Sequence, residues 1–101
     1  MSRVRFQNIG LTVEFYREGS KFIAYSPALK LSTCGDSQSE AQKRFGELVD
    51  VFFEEIDRMG TCEEMLIECG WKKVGHNGTK RWQPPTLVGK GQKDVRIPCP
   101  A

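Results

Sequence analysis

The sequence is short of the residue patterns that enzyme and metal sites use. It has a single histidine, His76, and none of its four cysteines forms a C-x-x-C pair. Zinc sites usually draw their ligands from close pairs of this kind. No Ser-His-acid set and no Cys-His pair has a spacing that indicates a catalytic nucleophile. We therefore expect a protein that is not an enzyme, with reduced structural thiols and without catalytic residues, a cofactor or a metal.

Long apolar runs are also missing. No segment reaches the run of about 18 apolar residues that a membrane span needs. The first ten residues, MSRVRFQNIG, hold no apolar core of a secretory signal. Together with reduced cysteines, these absences predict a cytoplasmic protein that does not bind a membrane.

The length limits the chain to one domain with a thin core, and the charge is uneven along it. Residues 1–35 carry five basic and two acidic side chains, residues 36–70 three and ten, and residues 71–101 seven and one. Domains this small often gain stability by burying surface against a partner or a second copy. An acidic middle and a basic end permit such contacts. The alternative is a solvated acidic helix face beside a basic tail.

The first third of the chain has the pattern of a small antiparallel sheet. Apolar and polar residues alternate over 11–16, which is the period of a strand with one buried face. With a turn at 17–20, this predicts a hairpin over 9–26. Pro27 ends the hairpin because proline cannot donate to a sheet. A third short strand is predicted over 29–34.

Two helices are predicted to follow, each opened by a capping box and closed by a glycine. In the first, the Ser37 hydroxyl accepts from the Glu40 amide while the Glu40 carboxylate reaches back to the Ser37 amide. Apolar residues spaced three and four apart then predict a long helix up to Gly60. A second box at 61–64 predicts a short helix ending at Gly70. The apolar stripe of the long helix consists of Ala41, Phe45, Leu48, Phe52, Ile56 and Met59, widened by Val49 and Phe53.

Residues 71–82 predict a second hairpin, because Asn77-Gly78 favours a type I′ turn. Its register places Lys73 opposite Trp82. Four side chains form the candidate partner-binding face: Trp71, Lys73, Lys80 and Trp82. Tryptophan offers rigid contact area to a protein partner, or a stacking surface for unpaired bases with lysines on the phosphates. The alternative is that both indoles cover the core while the lysines reach out at its edge.

The chain is therefore expected to form a single domain over residues 1–85 and a tail over residues 86–101. Within the tail, three residues are predicted to add as a strand to the sheet edge of a neighbouring subunit: Val95, Arg96 and Ile97. This predicts a homodimer or a higher homo-oligomer.

Several of these segments together resemble the HicB family of bacterial antitoxins. The resemblance covers about residues 11–71. The matching segments are YSPAL at 25–29, GDS at 35–37, EA at 40–41, the helical stripe from Phe45 to Ile56, EEML at 63–66 and GW at 70–71. These are residues of corners, caps and core, so they indicate architecture more strongly than activity.

The resemblance implies an α+β fold of the truncated RNase H-like type, with a β-β-β-α-β arrangement and no nuclease site. From the residues we expect a three-stranded antiparallel sheet packed by one long helix, a short second helix, and a C-terminal hairpin or strand. Family members bind and sterically block a small HicA-type mRNA-cleaving toxin. The residues after Trp71 contain no recognisable helix-turn-helix or ribbon-helix-helix, so binding to operator DNA is not expected. The alternative function is an orphan nucleic-acid-binding module that uses residues 71–97.

Overall fold

The computed structural model describes residues 6–76, 78 and 80–100, and the fold is α+β. None of the helices among these residues is long and apolar enough to cross a membrane. The elements follow the predicted order, three strands, two helices and a hairpin: β1 (Glu14–Glu18), β2 (Lys21–Ser26), β3 (Leu31–Gly35), α1 (Gln38–Arg58), α2 (Cys62–Glu68), β4 (Lys72–Val74) and β5 (Arg81–Gln83).

The three-stranded sheet is antiparallel in the order β1-β2-β3, and α1 packs against one of its faces. Ala24 in the central strand is fully buried against Ala41 and Phe45 of the helix. The end of β3 comes so close to the helix that a Cβ on Gly35 would lie 2.7 Å from the Ala41 nitrogen. Glycine at this position therefore permits the tight packing of sheet and helix.

A second cluster of buried side chains lies where α2 and the C-terminal hairpin meet the corner after β2. It consists of Leu29, Leu66 and Trp71. Leu31 and Val49 are half-buried and pack against both this cluster and the one beneath the sheet. The two clusters are thus joined into one thin core.

Helix α1 begins with half of the predicted capping box. The Ser37 hydroxyl accepts a hydrogen bond from the Glu40 amide at 3.1 Å. The Glu40 carboxylate accepts from the amide of Asp36 at 3.0 Å, and not from that of Ser37 as predicted. Both bonds satisfy backbone donors at the start of α1. The helix start is therefore stabilised as expected, although the Glu40 carboxylate takes a different amide as its partner.

At the other end of α1 and at the start of α2 the sequence rules were less accurate. Gly60 has a φ of +71° and ends the helix, as predicted. Met59 is 63% exposed and does not belong to the buried stripe, because it is already the C-cap residue. The Thr61 side chain makes no capping hydrogen bond, so the second capping box is not formed.

The predicted first hairpin ends at Ser26 as expected, but it begins at Glu14 and not at residue 9. Glu14 pairs with Tyr25, and continuing this register places Thr12 opposite Pro27, which has no amide hydrogen. Proline therefore ends β1 as well as β2. Leu11 and Val13 remain half-buried but precede the strand.

The C-terminal hairpin forms its own two-stranded sheet of β4 and β5 and does not extend the three-stranded sheet. The fourth sheet strand of a β-β-β-α-β arrangement is therefore not present among the described residues. The helix α2, placed between α1 and β4, carries the chain to the second cluster of the core instead.

The corner between β2 and β3 is held by one buried polar residue, Ser26. Its side chain is fully buried, and its Oγ accepts a hydrogen bond from the Leu29 amide at 3.2 Å. Its carbonyl accepts from the amide of Lys30 at 2.8 Å. Lys30 has a φ of +57°, which lets the chain reverse and delays β3 to Leu31, two residues after the predicted start.

Replacing Ser26 by alanine is expected to destabilise the protein by about 1–3 kcal/mol, because the buried Leu29 amide loses its acceptor. Ser32→Ala is the matched control, since Ser32 is exposed on β3. Its effect should stay within about 0.5 kcal/mol. Urea denaturation followed by far-ultraviolet circular dichroism measures both, and equal midpoints for the two variants would contradict the role assigned to Ser26.

Candidate protein-binding surfaces

The C-terminal hairpin has the predicted register. Lys73 lies opposite Trp82, and Val74 lies opposite Arg81. The predicted type I′ turn falls on Asn77, which lies outside the described residues. The hairpin holds all four candidate partner-binding residues: Lys73 and Trp82 lie on the paired strands, and Trp71 and Lys80 lie directly before them.

Trp71, the first of these four residues, is a core residue. Its side chain is 5% exposed and packs with Leu29 and Leu66. The indole Nε1 donates to the carbonyl oxygen of Ala28 at 2.7 Å, which satisfies its polar atom inside the protein. This is the alternative that the sequence left open, in which the indole covers the core.

The other three residues of the predicted face have different surroundings. Trp82 is half-buried and packs against the same cluster as Trp71. The Lys73 ammonium lies 2.5 Å from the Glu63 carboxylate and so joins β4 to α2. Lys80 is exposed just before β5. A partner-binding role for these residues stays a prediction, with Lys80 and the outer part of Trp82 as the accessible groups.

A residue that the sequence analysis missed, Gln7, binds the backbone of the hairpin. Its Nε2 donates to the carbonyl oxygen of Trp82 at 2.8 Å, and its Oε1 accepts from the Trp82 amide at 2.7 Å. Gln7 thus makes the two bonds that a neighbouring antiparallel strand would make at this position. No local pattern marks it, because its partner lies 75 residues away in the chain.

The solvent side of α1 carries a row of exposed carboxylates, which we call the α1 acidic face. Its members are spaced three, four and three residues apart and are all exposed: Glu47, Asp50, Glu54 and Asp57. Among the residues that the structure describes, none of the four has an ion pair. By contrast, Glu40 and Glu55 pair with Arg44 and Arg58 along the same helix.

The face of the sheet opposite α1 holds no buried cluster among the described residues. Tyr16, Ile23 and Cys34 form one cross-strand row on it, and none of them belongs to either buried cluster. The Tyr16 hydroxyl donates to the Glu14 carboxylate at 3.1 Å, and this hydrogen bond raises the pKa of Tyr16. The exposed β1 strand is thus acidic and aromatic on this side.

The predicted oligomer contact, Val95 to Ile97, lies in an extended tail. Residues 86–100 are exposed throughout and contain no helix or strand. Val95 is 64% and Ile97 is 74% exposed. In the single chain these residues therefore do not form the predicted strand, and their role in a contact between subunits stays a prediction.

All four cysteines are free thiols. Cys34 and Cys99 are exposed, whereas Cys62 and Cys69 are half-buried beside the second cluster. Burial raises the pKa of the Cys62 thiol, and the nearby carboxylates of Asp57 and Glu63 act in the same direction. Within the described part of the chain, no group of three or more histidine, cysteine or acidic side chains is placed to hold a metal ion.

No family model, curated protein or solved structure matches the chain.

Replacing Gln7 by alanine is expected to loosen the C-terminal hairpin, because the Trp82 backbone loses both of its side-chain partners. We expect a loss of about 1 kcal/mol in unfolding free energy and faster hydrogen exchange at the Trp82 amide. Asn8→Ala is the control, since Asn8 is exposed and next in the chain. Unchanged exchange at Trp82 in Gln7→Ala would show that the side chain does not protect the strand.

Alkylation at neutral pH is expected to modify Cys34 and Cys99 first and Cys62 slowly. The thiolate is the reacting species, and a raised pKa together with partial burial lowers its availability at Cys62. Peptide mass spectrometry after timed exposure to iodoacetamide gives the order. In denaturant the four rates should converge, and rapid modification of Cys62 in the folded protein would contradict its placement.

Proposed function

We propose that the protein is a non-enzymatic HicB-like antitoxin, or a protein derived from one, that binds a HicA-type mRNA-cleaving toxin and blocks it sterically. The sequence resemblance over residues 11–71 supports this, as does the order of three antiparallel strands followed by a long helix. A cytoplasmic location belongs to the same proposal, because such a toxin cleaves mRNA.

The observation that carries the proposal is the α1 acidic face. Four exposed carboxylates lie on the side of the helix away from the core and have no ion-pair partner among the described residues. Like charges three and four residues apart on a helix repel each other weakly. A basic partner relieves this repulsion, and complementary fields also accelerate its encounter with the protein.

A toxin that cleaves mRNA needs a basic surface to hold phosphates, so its functional surface has the charge that the α1 acidic face attracts. Binding there would block the toxin by competition, because the same basic residues cannot contact RNA and the antitoxin together. Such a mechanism needs no chemical step from this protein. It also predicts that high salt weakens the complex.

The second proposal, nucleic-acid binding through residues 71–97, has weaker support. It relied on two tryptophans as stacking surfaces, and the Trp71 indole is buried and bonded to Ala28. The remaining groups are the exposed Lys80, the half-buried Trp82 and the basic residues of the tail. Binding of single-stranded RNA through these groups would quench the fluorescence of Trp82 at low salt.

The double variant Asp50→Lys, Glu54→Lys is expected to slow association with a HicA-type toxin about tenfold at low salt, because exposed charges act mainly on the association rate. The control is Glu64→Lys, Glu68→Lys on α2, which makes the same change in charge at two exposed residues without ion pairs among those described. Stopped-flow mixing with a purified HicA-type toxin measures both rates.

Equal slowing by the two double variants would show that net charge, and not the α1 acidic face, drives the encounter. Absence of any binding to this toxin, with no rescue of cells that express it, would remove the antitoxin proposal. Thermal unfolding of each variant serves as the folding control, since all four positions are exposed.

A further inference from the structure

The three-stranded sheet has two outer edges, on β1 and β3, and the separate hairpin adds two more, on β4 and β5. Two of these four edges are engaged by side chains of the same chain, and that of β4 is only three residues long. Gln7 binds both backbone groups of Trp82 on β5, and the Arg44 guanidinium donates to the Cys34 carbonyl on β3 at 3.1 Å. Such contacts protect strand edges from pairing with another chain.

The outer edge of β1 has no comparable protection. Its inner edge pairs with β2, with Phe15 opposite Ala24. Among the described residues, no strand lies on its other side and no side chain bonds to the backbone of Glu14–Glu18. An unprotected edge of five residues is a template on which a further strand can pair.

The same chain carries an unpaired segment with the pattern of a strand. Val95 and Ile97 are exposed and alternate with the charged residues Asp94 and Arg96. Residues 91–100 take part in no hydrogen bond or ion pair with the rest of the described chain. The apolar side chains of such an alternating segment leave water only when a neighbouring strand or surface covers that side.

The side chains of β1 favour one orientation of an added strand. Phe15 and Arg17 lie on the side that faces α1, and the Arg17 guanidinium lies 5.9 Å above the Phe22 ring. On the opposite side, β1 presents only Glu14, Tyr16 and Glu18.

An added strand with Val95 and Ile97 on the α1 side therefore extends the core beyond Phe15. The same orientation brings Asp94 and Arg96 to the other side, where Arg96 attracts the glutamates of β1 and Asp94 repels them. The reverse orientation would turn Val95 and Ile97 to the charged side of β1. Apolar contact thus selects one arrangement, and within it Arg96 is the tail residue that pairs with a glutamate of β1.

We infer that residues 94–97 of one copy of this chain pair with β1 of a second copy, so that two copies exchange their tails in a closed dimer. Each copy offers one tail and one β1 edge, which is the requirement for a two-fold symmetric exchange. Residues 91–97 span about 23 Å when extended at ~3.3 Å per residue, which allows the strand to reach beyond its own domain. The exchange does not depend on a toxin and so goes beyond the proposed function.

The test compares tail variants of the full chain by sedimentation equilibrium across a range of concentrations. Wild type is expected to sediment as a dimer and Val95→Asp, Ile97→Asp as a monomer. The matched control is Leu87→Asp, Val88→Asp, which places the same charges on two exposed apolar residues of the tail outside 94–97. It should remain a dimer.

Exchanging the charges of Arg96 and the β1 glutamates tests whether β1 is the edge that binds the tail. Arg96→Glu is expected to weaken the dimer about tenfold, and adding Glu14→Arg and Glu18→Arg should restore its affinity to within about threefold. A monomeric wild type, a dimer that survives Val95→Asp, Ile97→Asp, or the lack of restoration would overturn the inference. If the tail instead folded back onto its own β1, the tail variants would lower the thermal stability of the protein. That loss would not depend on protein concentration, and it would also overturn the inference.

Discussion

The corner at residues 26–30 connects the two parts of the core. Ser26 supplies an acceptor for the buried Leu29 amide, and Pro27 ends the pairing of β1 with β2. The reversal that follows places the Ala28 carbonyl where the Trp71 indole donates to it. Without this corner, Leu29 would not meet α2, and the C-terminal hairpin would lose one of the contacts that attach it to the domain. The thin core thus depends on a few buried polar contacts as well as on apolar packing.

The surfaces outside the core differ in how many of their charges and backbone groups find a partner within the same chain. Gln7 and Arg44 bond to the outer strands β5 and β3, and Lys73 offsets the charge of Glu63. The α1 acidic face, the β1 edge and the tail have no such partners among the described residues. These three surfaces are where we locate contacts with other molecules: a basic toxin for the acidic face, and a second copy for the edge and the tail. Each proposal follows from a charge or a backbone group that the single chain leaves unsatisfied.

Among the candidate site residues, the register of the second hairpin was predictable and the environment of its side chains was not. Alternation and the turn sequence placed Lys73 opposite Trp82 correctly. The burial of Trp71 depends on Ala28, 43 residues earlier in the chain. The two hydrogen bonds between the Gln7 side chain and the Trp82 backbone likewise join segments that are distant in sequence, so no local pattern indicates them. A local pattern carries information only about residues within one or two turns of helix or across one hairpin.

The sequence by itself determined the type and order of the elements. Alternation, the Ser37 cap, the helical stripe and the glycines at 60 and 70 each act through neighbours in the chain. The cap and the two glycines are found where they were predicted, whereas β1 begins later than the alternation and the stripe ends before Met59. Tertiary structure decided where β1 and β3 begin, which partner the Glu40 carboxylate takes, and that the last hairpin stands apart from the sheet. It also decided that Trp71 lies inside and that the β1 edge stays open. These outcomes depend on long-range contacts, which compete for the same backbone groups and the same buried space, and that competition is settled only when the whole chain is packed.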